Sequence, residues 1–222
     1  MHHIMGNLDD AVKDFELAID LQPENAETYN NRGNLWRDKG DLDAAISDYN
    51  TAIRLDENES LAFLNRGIVR RIRGDFHGAL ADFEEALNRK GENDDAIAET
   101  FYQRGSLLQF MGARDKALKD YKRSLKSNPT HALVWASRSN LRRKLNKNDL
   151  ADLDEQAARS LIEDDMEYNQ ACLESILGNV DASLKLLKIA LRKEQTLRSW
   201  ARIDLDFENI RDDPRFKELV GE

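Results

Sequence analysis

The chain contains 222 residues, of which 33 are basic and 42 acidic, and its net charge is -9. This charge disfavours binding to nucleic-acid phosphates and anionic membranes, and no apolar run reaches the roughly 20 residues that span a bilayer. The single cysteine, Cys172, excludes an internal disulfide framework and a multi-cysteine zinc site, so we expect a cytoplasmic protein. With only three prolines and eleven glycines, the composition favours helices over sheet.

The first predicted helix spans Leu8–Leu21 and carries the small and aromatic residues Ala11, Phe15 and Ala18. Residues three and four positions apart share a helix face, so the three form one apolar stripe. Too few residues precede Leu8 in this sequence to form a partner helix. We therefore expect either that the chain belongs to a longer protein or that another molecule covers the stripe, as in a homo-oligomer formed through this helix.

Two series of residues recur along the chain and predict a repeated pair of helices. The first series is Asn31-Arg32-Gly33, Asn65-Arg66-Gly67 and Gln103-Arg104-Gly105. The second repeats the pattern of the first helix at Ala45-Tyr49-Ala52, Ala79-Phe83-Ala86 and Ala117-Tyr121-Ser124. Both recur after 34 and then 38 residues. The four extra residues, placed around Gly91–Ala96, add about one turn to a helix predicted over Asp95–Met111.

These motifs resemble the tetratricopeptide repeat (TPR), a pair of antiparallel helices about 34 residues long. The resemblance implies an all-α fold, an α-α superhelix (TPR solenoid) of antiparallel helix pairs with a C-terminal helical cap. We expect a single solenoid over residues 1–222 with eleven repeat helices. Its predicted parts are a half repeat at 8–25, clear repeats at 26–59, 60–93 and 98–131, a degenerate repeat at 132–163, a repeat at 164–197 and the cap at 198–222.

The degenerate repeat departs from the pattern in two places. Its predicted helices are Trp135–Leu145 and Leu150–Leu161. Ser139 replaces the glycine of the first helix, and Leu153 is expected in place of the aromatic residue of the second. We therefore predict that this repeat is about two residues short.

The segment from Trp200 to Phe216 is similar to the closing segment of many bacterial TPR proteins. Its aromatic residues Trp200, Phe207 and Phe216 are spaced to cover the last repeat helix. A solenoid needs such a cover because its terminal repeat otherwise exposes an apolar face to water. We expect a cap without a catalytic role.

Charged residues recur beside the packing positions. Arginines precede the small residue of first helices, and aspartates precede the aromatic residue of second helices. They are Arg32, Arg66, Arg104 and Arg138, and Asp14, Asp48, Asp82 and Asp120. We expect structural ion pairs within or between repeats, because an arginine flanked by buried positions needs an acceptor. The alternative is that both rows face water, where each pair contributes about 0 to 1 kcal/mol.

No pattern of a catalytic, cofactor or metal site is found in the sequence. It has no glycine-rich phosphate loop after a strand and no histidine pair with metal-ligand spacing outside the first three residues. His77 and His131 are interpreted as solvated side chains near helix starts, and Cys172 as a packing thiol. We therefore expect no enzyme activity, no cofactor and no metal.

The resemblance implies that the first helices of successive pairs line a concave groove that holds an extended peptide. Side-chain amides suit such a groove because they can donate to and accept from a peptide backbone. The arginines of the first helices favour an acidic ligand, whereas the second helices are acidic. The candidate groove residues are Asn30, Asn34, Arg37, Asn65, Arg71, Tyr102, Gln103, Gln109, Asn140 and Arg143.

The predicted function is therefore a non-catalytic adaptor or scaffold that binds a protein or peptide partner, and neither nucleic acid nor membrane. Two alternatives remain open. The protein could be a self-assembling scaffold that uses the uncovered N-terminal helix, or the regulatory arm of a larger enzyme.

Overall fold

The computed structural model describes residues 8–89, 94–162 and 166–221, and these residues form helices and no strand. Eleven helices precede the cap in the described ranges. They are α1 (Leu8–Leu21), α2 (Ala26–Lys39), α3 (Leu42–Leu55), α4 (Ser60–Ile72), α5 (Phe76–Asn88), α6 (Asp94–Phe110), α7 (Arg114–Ser127), α8 (Ala132–Lys144), α9 (Asn148–Ser160), α10 (Glu167–Leu177) and α11 (Val180–Lys193). The cap consists of α12 (Leu197–Ile203), a 3-10 turn (Leu205–Phe207) and α13 (Pro214–Val220).

The predicted elements agree closely with these bounds. The long helix expected over Asp95–Met111 is α6, with 17 residues. The insertion expected around Gly91–Ala96 lies partly outside the described residues, which omit 90–93. None of the described helices combines the length and the apolar character needed to cross a membrane.

The chain divides into two compact units, described separately below. The first unit ends at Thr100 and contains α1–α5 and the start of α6. The second unit runs from Phe101 and contains the rest of α6, α7–α11 and the cap. In both units, the two helices of a repeat pack against each other and bury their small and aromatic residues.

The turn inside each helix pair requires a left-handed backbone conformation. Gly40 ends α2 with a φ of 83°, and its N–H donates to the carbonyl of Arg37. Asn146 takes the corresponding place after α8 with a φ of 58°. Asparagine tolerates this region better than most residues because its short side chain can bond locally. The degenerate repeat therefore keeps the turn although it has lost the glycine.

The recurring glycines of first helices make room for the aromatic rings of second helices. A Cβ built on Gly67 would lie 2.7 Å from a ring carbon of Phe83, and one on Gly33 would lie 2.6 Å from Tyr49. Both rings are completely buried. Only a residue without a side chain permits this approach, so the glycine and the ring are one packing unit.

The predicted ion pairs are present, and each lies within one repeat. The arginine donates two hydrogen bonds to the carboxylate of an aspartate 16 residues later, at 2.6 to 3.0 Å. The pairs are Arg32–Asp48, Arg66–Asp82, Arg104–Asp120 and Arg138–Asp154. The aspartates are 2% to 5% exposed, so the pairs are structural. The prediction omitted Asp154 and included Asp14, which is exposed.

Each of these arginines also contacts an aromatic ring three residues earlier on its own helix. The distances from the guanidinium carbon to the ring centre range from 4.6 to 5.7 Å, within the range of cation–π contacts. The rings belong to Tyr29, Phe63, Phe101 and Trp135. The ring and the carboxylate together hold the arginine in one orientation.

The degenerate repeat differs from its prediction. Leu153 was expected to replace the aromatic residue, but its side chain is 62% exposed. Because Asp154 pairs with Arg138, the residue in the position of the ring is Glu155. The repeat is two residues short, as predicted, because the left-handed turn residues Asn146 and Gly178 are 32 positions apart, whereas Gly40 and Gly74 are 34 apart. Only the assignment of Leu153 was wrong, because Leu153 is apolar but lies two positions before the position of the ring.

Hydroxyl groups replace the ring contact in the last two repeats. The Ser139 hydroxyl of α8 donates to the carbonyl of Ala151 on α9 at 2.7 Å. The Ser183 hydroxyl of α11 donates to the carbonyl of Ala171 on α10 at 2.8 Å. Both serines are fully buried, so the hydrogen bond also satisfies a hydroxyl that could not reach water.

The cap covers the last helix pair, as predicted. Phe207 and Phe216 are completely buried in one cluster with Cys172 of α10 and Leu187 of α11. Trp200, the third aromatic residue assigned to the cap, is half-buried. The buried cluster joins the cap to the second unit.

Helix α1 is less well covered than the other second helices. Its residues Ala11, Phe15 and Ala18 are half-buried, whereas the equivalent Ala45 and Tyr49 of α3 are completely buried. Among the described residues, α1 packs on one side, against α2. The apolar stripe of α1 is therefore partly open to solvent.

Candidate functional site

In the first unit, the asparagines of the predicted groove bond to each other and to the core. Asn30 of α2 is 3% exposed, and its side-chain oxygen accepts a hydrogen bond from the Asn65 amide of α4 at 3.0 Å. Asn34 accepts a hydrogen bond from the Tyr49 hydroxyl at 2.9 Å. These amides connect first helices to each other and to a second helix, so part of their bonding capacity is used inside the protein.

The two arginines assigned to the same groove lie in different environments. Arg37 is half-buried and forms an ion pair with its neighbour Asp38 at 3.2 Å. Arg71 is 3% exposed. A guanidinium with so little exposure contributes to the structure of the unit, and its access to a ligand is small.

In the second unit, the candidates on α8 hold neighbouring helices. The Asn140 amide donates to the carbonyl of Ile176 on α10 at 2.7 Å. Arg143 is exposed and forms ion pairs with Asp152 and Glu155 of α9 at 2.8 and 2.6 Å. Both residues therefore connect helices within the second unit.

Two of the three candidates on α6, Tyr102 and Gln109, lie beside the cap in the second unit. The Tyr102 hydroxyl donates to the carboxylate of Asp206 at 2.8 Å. Gln109 accepts a hydrogen bond from the Tyr121 hydroxyl at 3.1 Å, and Gln103 is half-buried. Burial, together with the negative charge of Asp206, raises the pKa of Tyr102 well above its ordinary value, so this hydroxyl is a donor at neutral pH.

A cavity of about 310 Å³ opens beside Tyr102 in the second unit. Its walls come from the first helices α6, α8 and α10, from Tyr121 of the second helix α7 and from the cap. They include Tyr102, Ser106, Gln109, Ser137, Lys144 and Ile176, with Leu205, Asp206, Glu208 and Asn209 from the cap. Lys144 is exposed and has no ion pair with any residue in the described ranges. Two of the ten predicted residues, Tyr102 and Gln109, thus share a polar cavity with a cationic rim.

The cap segment contributes polar groups that the sequence analysis did not assign to a site. The Tyr168 hydroxyl of α10 donates to Asp204 at 2.9 Å, and the Asn209 amide donates to the carbonyl of Ser175 at 3.3 Å. The segment therefore lies along the first-helix surface of α10 and reaches Tyr102 on α6. The acidic spacing Asp204-x-Asp206 was visible in the sequence, but its contact with a helix about 100 residues earlier was not.

The buried Cys172 and the half-buried Asp204 form a hydrogen-bonded pair beside this segment. Burial raises the pKa of the Asp204 carboxyl, although bonds from the Asp206 N–H and the Tyr168 hydroxyl act in the opposite direction. Burial and the two nearby carboxylates raise the pKa of the Cys172 thiol well above its ordinary value. The thiol donates to Asp204 at 3.9 Å and fills the core, as expected for a packing cysteine.

The same three side chains have the composition of a metal-ligand group. Ligand atoms of Cys172, Asp204 and Asp206 lie within 4.8 Å of one another. Each already takes part in a hydrogen bond, and metals bind the thiolate rather than the neutral thiol that burial favours here. The geometry is explained by the hydrogen-bond network that fixes the cap.

Comparison with protein families identifies the repeats. A tetratricopeptide-repeat family model matches residues 26–59, and a second model of the same repeat matches residues 1–25 and 98–131. This chain is a tetratricopeptide-repeat protein. Comparison with curated proteins gives no match.

Solved structures of other TPR proteins have the same fold. The crystal structure of MamA has a TM-score of 0.60 at 20% identity and covers 72% of this TPR protein and 95% of MamA. YrrB, described as a TPR protein with an unusual peptide-binding site, has a TM-score of 0.58 at 24% identity and covers 83% and 94%. PilF from Pseudomonas aeruginosa has a TM-score of 0.68 at 15% identity and covers 93% and 90%. At these identities the likeness concerns the fold.

Proposed function

We propose that this TPR protein is a non-catalytic interaction module that binds an extended, acidic peptide segment along its first helices. The observation that carries the proposal is the cavity beside Tyr102, where an exposed lysine lies among hydroxyl and amide groups. Such a site offers donors to a carboxylate and to a peptide backbone together. The peptide-binding site described for YrrB supports a peptide as the class of ligand.

The cap segment supports the preference for acidic residues. Asp206 is an acidic side chain on an irregular segment, and the Tyr102 hydroxyl of α6 donates to it. The first-helix surface of the second unit thus already receives a carboxylate from its own chain. In the proposal, a carboxylate of the partner lies near Lys144 and Gln109, on the side of the cavity away from the cap carboxylates.

The ten predicted groove residues take two roles in this proposal. Gln103, Gln109 and Arg143 contact the partner in the second unit, and Asn34 and Arg37 contact it in the first. The remaining residues position the first helices, because their side chains are buried or bonded to another first helix; they are Asn30, Asn65, Arg71, Tyr102 and Asn140. Positioning residues affect binding through the shape of the surface.

The experiment that tests this function selects ligands from a displayed library of random peptides. We expect the wild type to enrich peptides rich in aspartate and glutamate. Lys144→Ala should weaken binding of a selected peptide by about tenfold, the loss expected for one charge-assisted hydrogen bond of about 1.5 kcal/mol. It should also flatten the salt dependence, because exposed charges are screened over about 8 Å at physiological ionic strength.

Lys185→Ala is the matched control, since Lys185 is an exposed lysine on the second helix α11. It should leave the affinity unchanged. Fluorescence anisotropy with the selected peptide measures both variants, and circular dichroism checks their folding. Enrichment of peptides without an excess of acidic residues, or equal affinities of the two variants, would show that the proposal is wrong.

A further inference from the structure

A second cleft lies in the second unit, among α7, α8 and the start of α9. It has a volume of about 260 Å³. Its apolar floor comes from Leu118 of α7 and Leu150 of α9, and the exposed lysines Lys119, Lys122 and Lys147 surround it. We call this the lysine cleft. Leu150 is 46% exposed, so the apolar surface is accessible to a partner.

The lysine cleft is positive in a protein whose net charge is -9. Its remaining lining residues are Arg138 and Arg142, and both pair with the buried carboxylate of Asp154 at 2.7 Å. Two arginines share one aspartate, and the lining residues include no carboxylate. The cleft therefore retains excess positive charge around an apolar floor, which suits a segment with leucines and carboxylates on one face.

Helix α1 presents such a face. Leu17 and Leu21 are 60% and 74% exposed, the highest values for large apolar side chains among the described residues of the first unit. Asp14 precedes Leu17 by three residues and so lies on the same face, and Asp20 is adjacent to Leu21. Both aspartates are exposed and have no ion pair in the described residues. This face lies apart from the stripe of Ala11 and Phe15.

We propose that α1 of one molecule docks in the lysine cleft of a second copy of this chain. Leu17 and Leu21 cover Leu118 and Leu150, and the carboxylates of α1 lie opposite Lys119, Lys122 and Lys147. A 14-residue helix is about 21 Å long, enough to cross three packed helices at spacings of about 8 to 10 Å. An amphipathic helix that places its apolar face in a groove is a common mode of recognition.

The two surfaces differ, so the contact is heterologous. Each copy offers one helix and one cleft, and such contacts give rings or open chains instead of closed twofold dimers. The contact of a single helix is smaller than a standard stable interface, so we expect association in the micromolar range. Because three lysines face carboxylates at the surface, salt should weaken it.

Sedimentation velocity of the full chain tests this contact with variants of each surface. The helix variant is Leu17→Asp with Leu21→Asp, and the cleft variant is Lys119→Glu with Lys122→Glu. We expect the mean mass of the wild type to rise with concentration and to fall with salt, and each variant alone to be monomeric. All four residues are exposed, so the folds should be intact, as circular dichroism can check.

Mixing the two variants gives the decisive result. The cleft variant keeps a working α1 and the helix variant keeps a working cleft, so an equimolar mixture should form dimers that do not grow. The control is Lys185→Glu with Lys188→Glu, a charge reversal at the same spacing on α11, which should associate like the wild type. Lys144→Ala should also associate normally, which separates this contact from the peptide site.

Three outcomes overturn the proposal. The first is a wild type that stays monomeric at every concentration, in which case the cleft belongs to a different protein or to none. The second is a cleft variant that associates like the wild type. The third is a mixture that stays monomeric, which would indicate a contact between two copies of α1.

Discussion

The protein closes its helix pairs in two chemically different ways. In α2–α3, α4–α5 and α6–α7, a glycine lies directly under an aromatic ring, and an added Cβ would come within 2.6 to 3.0 Å of a ring carbon. In α8–α9 and α10–α11 there is no ring, and a buried serine hydroxyl donates to a backbone carbonyl of the other helix. At the small-residue position, the first kind of helix pair has an apolar contact and the second has a hydrogen bond.

The difference shows which part of the repeat is essential to the packing. In α8–α9 the serine belongs to the first helix of the pair, α8, whereas in α10–α11 it belongs to the second helix, α11. The close approach of the helices is thus kept while the chemistry changes. The arginine–aspartate ion pair, whose partners are 16 residues apart, is present in the three helix pairs that contain the glycine and the ring. It is also present in α8–α9, which contains a serine instead, so the ion pair is independent of the ring.

The largest expected effect tests the shared ion pair. Asp82→Ala leaves Arg66 and Arg70 without their carboxylate, and Asp154→Ala does the same to Arg138 and Arg142. Removing one partner of a buried pair costs about 3–5 kcal/mol, and the residual exposure of these arginines lowers our expectation to about 2–4 kcal/mol for each variant. Urea unfolding followed by circular dichroism measures both.

The control for this prediction is Asp152→Ala, which removes an ion pair that is 69% exposed on the aspartate side. It should change the free energy of unfolding by about 0 to 1 kcal/mol. If Asp154→Ala cost no more than this control while Asp82→Ala cost several times more, the ion pair would depend on the ring after all.

The intermediate effect separates the two kinds of pair. Gly67→Ala should destabilise the protein by about 1–2 kcal/mol, because overpacking against Phe83 exceeds the gain in helix propensity of about 1 kcal/mol. In a Phe83→Ala background the same change should become stabilising by up to about 0.5 kcal/mol, since the gain in helix propensity then opposes only a contact of 3.2 Å with the Cβ of Asp82. The reversal of sign is the signature of the glycine–ring unit.

The serine counterpart is Ser139→Ala, measured by the same urea unfolding. It loses one hydrogen bond, worth about 1 kcal/mol, and gains part of this back in helix propensity. We expect a net change within about 1 kcal/mol and no reversal in any background. A Gly67→Ala variant as stable as the wild type would refute the comparison.

The smallest effect concerns the pH dependence of stability in the helix pair α10–α11, where Tyr168 and Cys172 of α10 contact the half-buried carboxyl of Asp204. Burial raises the pKa of Asp204 in the folded state above the ordinary value of 3.8. At pH values between the ordinary and the raised pKa, the folded protein therefore binds a proton that the unfolded chain does not bind. This group therefore adds stability as the pH falls through its raised pKa. The free energy of unfolding of the wild type, minus that of Asp204→Asn, should therefore increase when the pH is lowered from 7 to 4.

Urea unfolding at several pH values measures this difference, and the carboxyl carbon resonance of Asp204 in NMR follows the same titration. A difference that stays constant, or that moves in favour of Asp204→Asn at lower pH, would contradict the burial argument.

The sequence predicts the parts of this fold that depend on local periodicity. The helices, the glycine–ring contacts and three of the four ion pairs follow from residues that recur at a fixed spacing, and spacing within a helix pair determines which side chains meet. The assignment of Leu153 failed because the degenerate repeat kept its ion pair and lost its ring. There, an apolar residue was a poorer guide than Asp154.

The candidate site was less predictable for a different physical reason. Asn30, Asn34 and Asn140 look equivalent in the repeat, yet one accepts from an amide, one accepts from a tyrosine and one donates to a backbone carbonyl. The orientation of an amide depends on neighbours contributed by other helices. The wall that the cap adds to the cavity depends on contacts distant in sequence, and no periodic pattern encodes them.

The hydrogen bond from Tyr102 to Asp206 joins residues 104 positions apart in the chain. In repeat proteins each repeat normally contacts only its neighbours, and unfolding can therefore begin at an end and proceed one repeat at a time. Here the terminal segment of the second unit is attached to its first helix, so fraying from the C-terminus must break a contact at the other end of the unit. The entropic cost of closing so long a loop grows only logarithmically with its length. The second unit consequently gains cooperativity in its unfolding from a single distant contact.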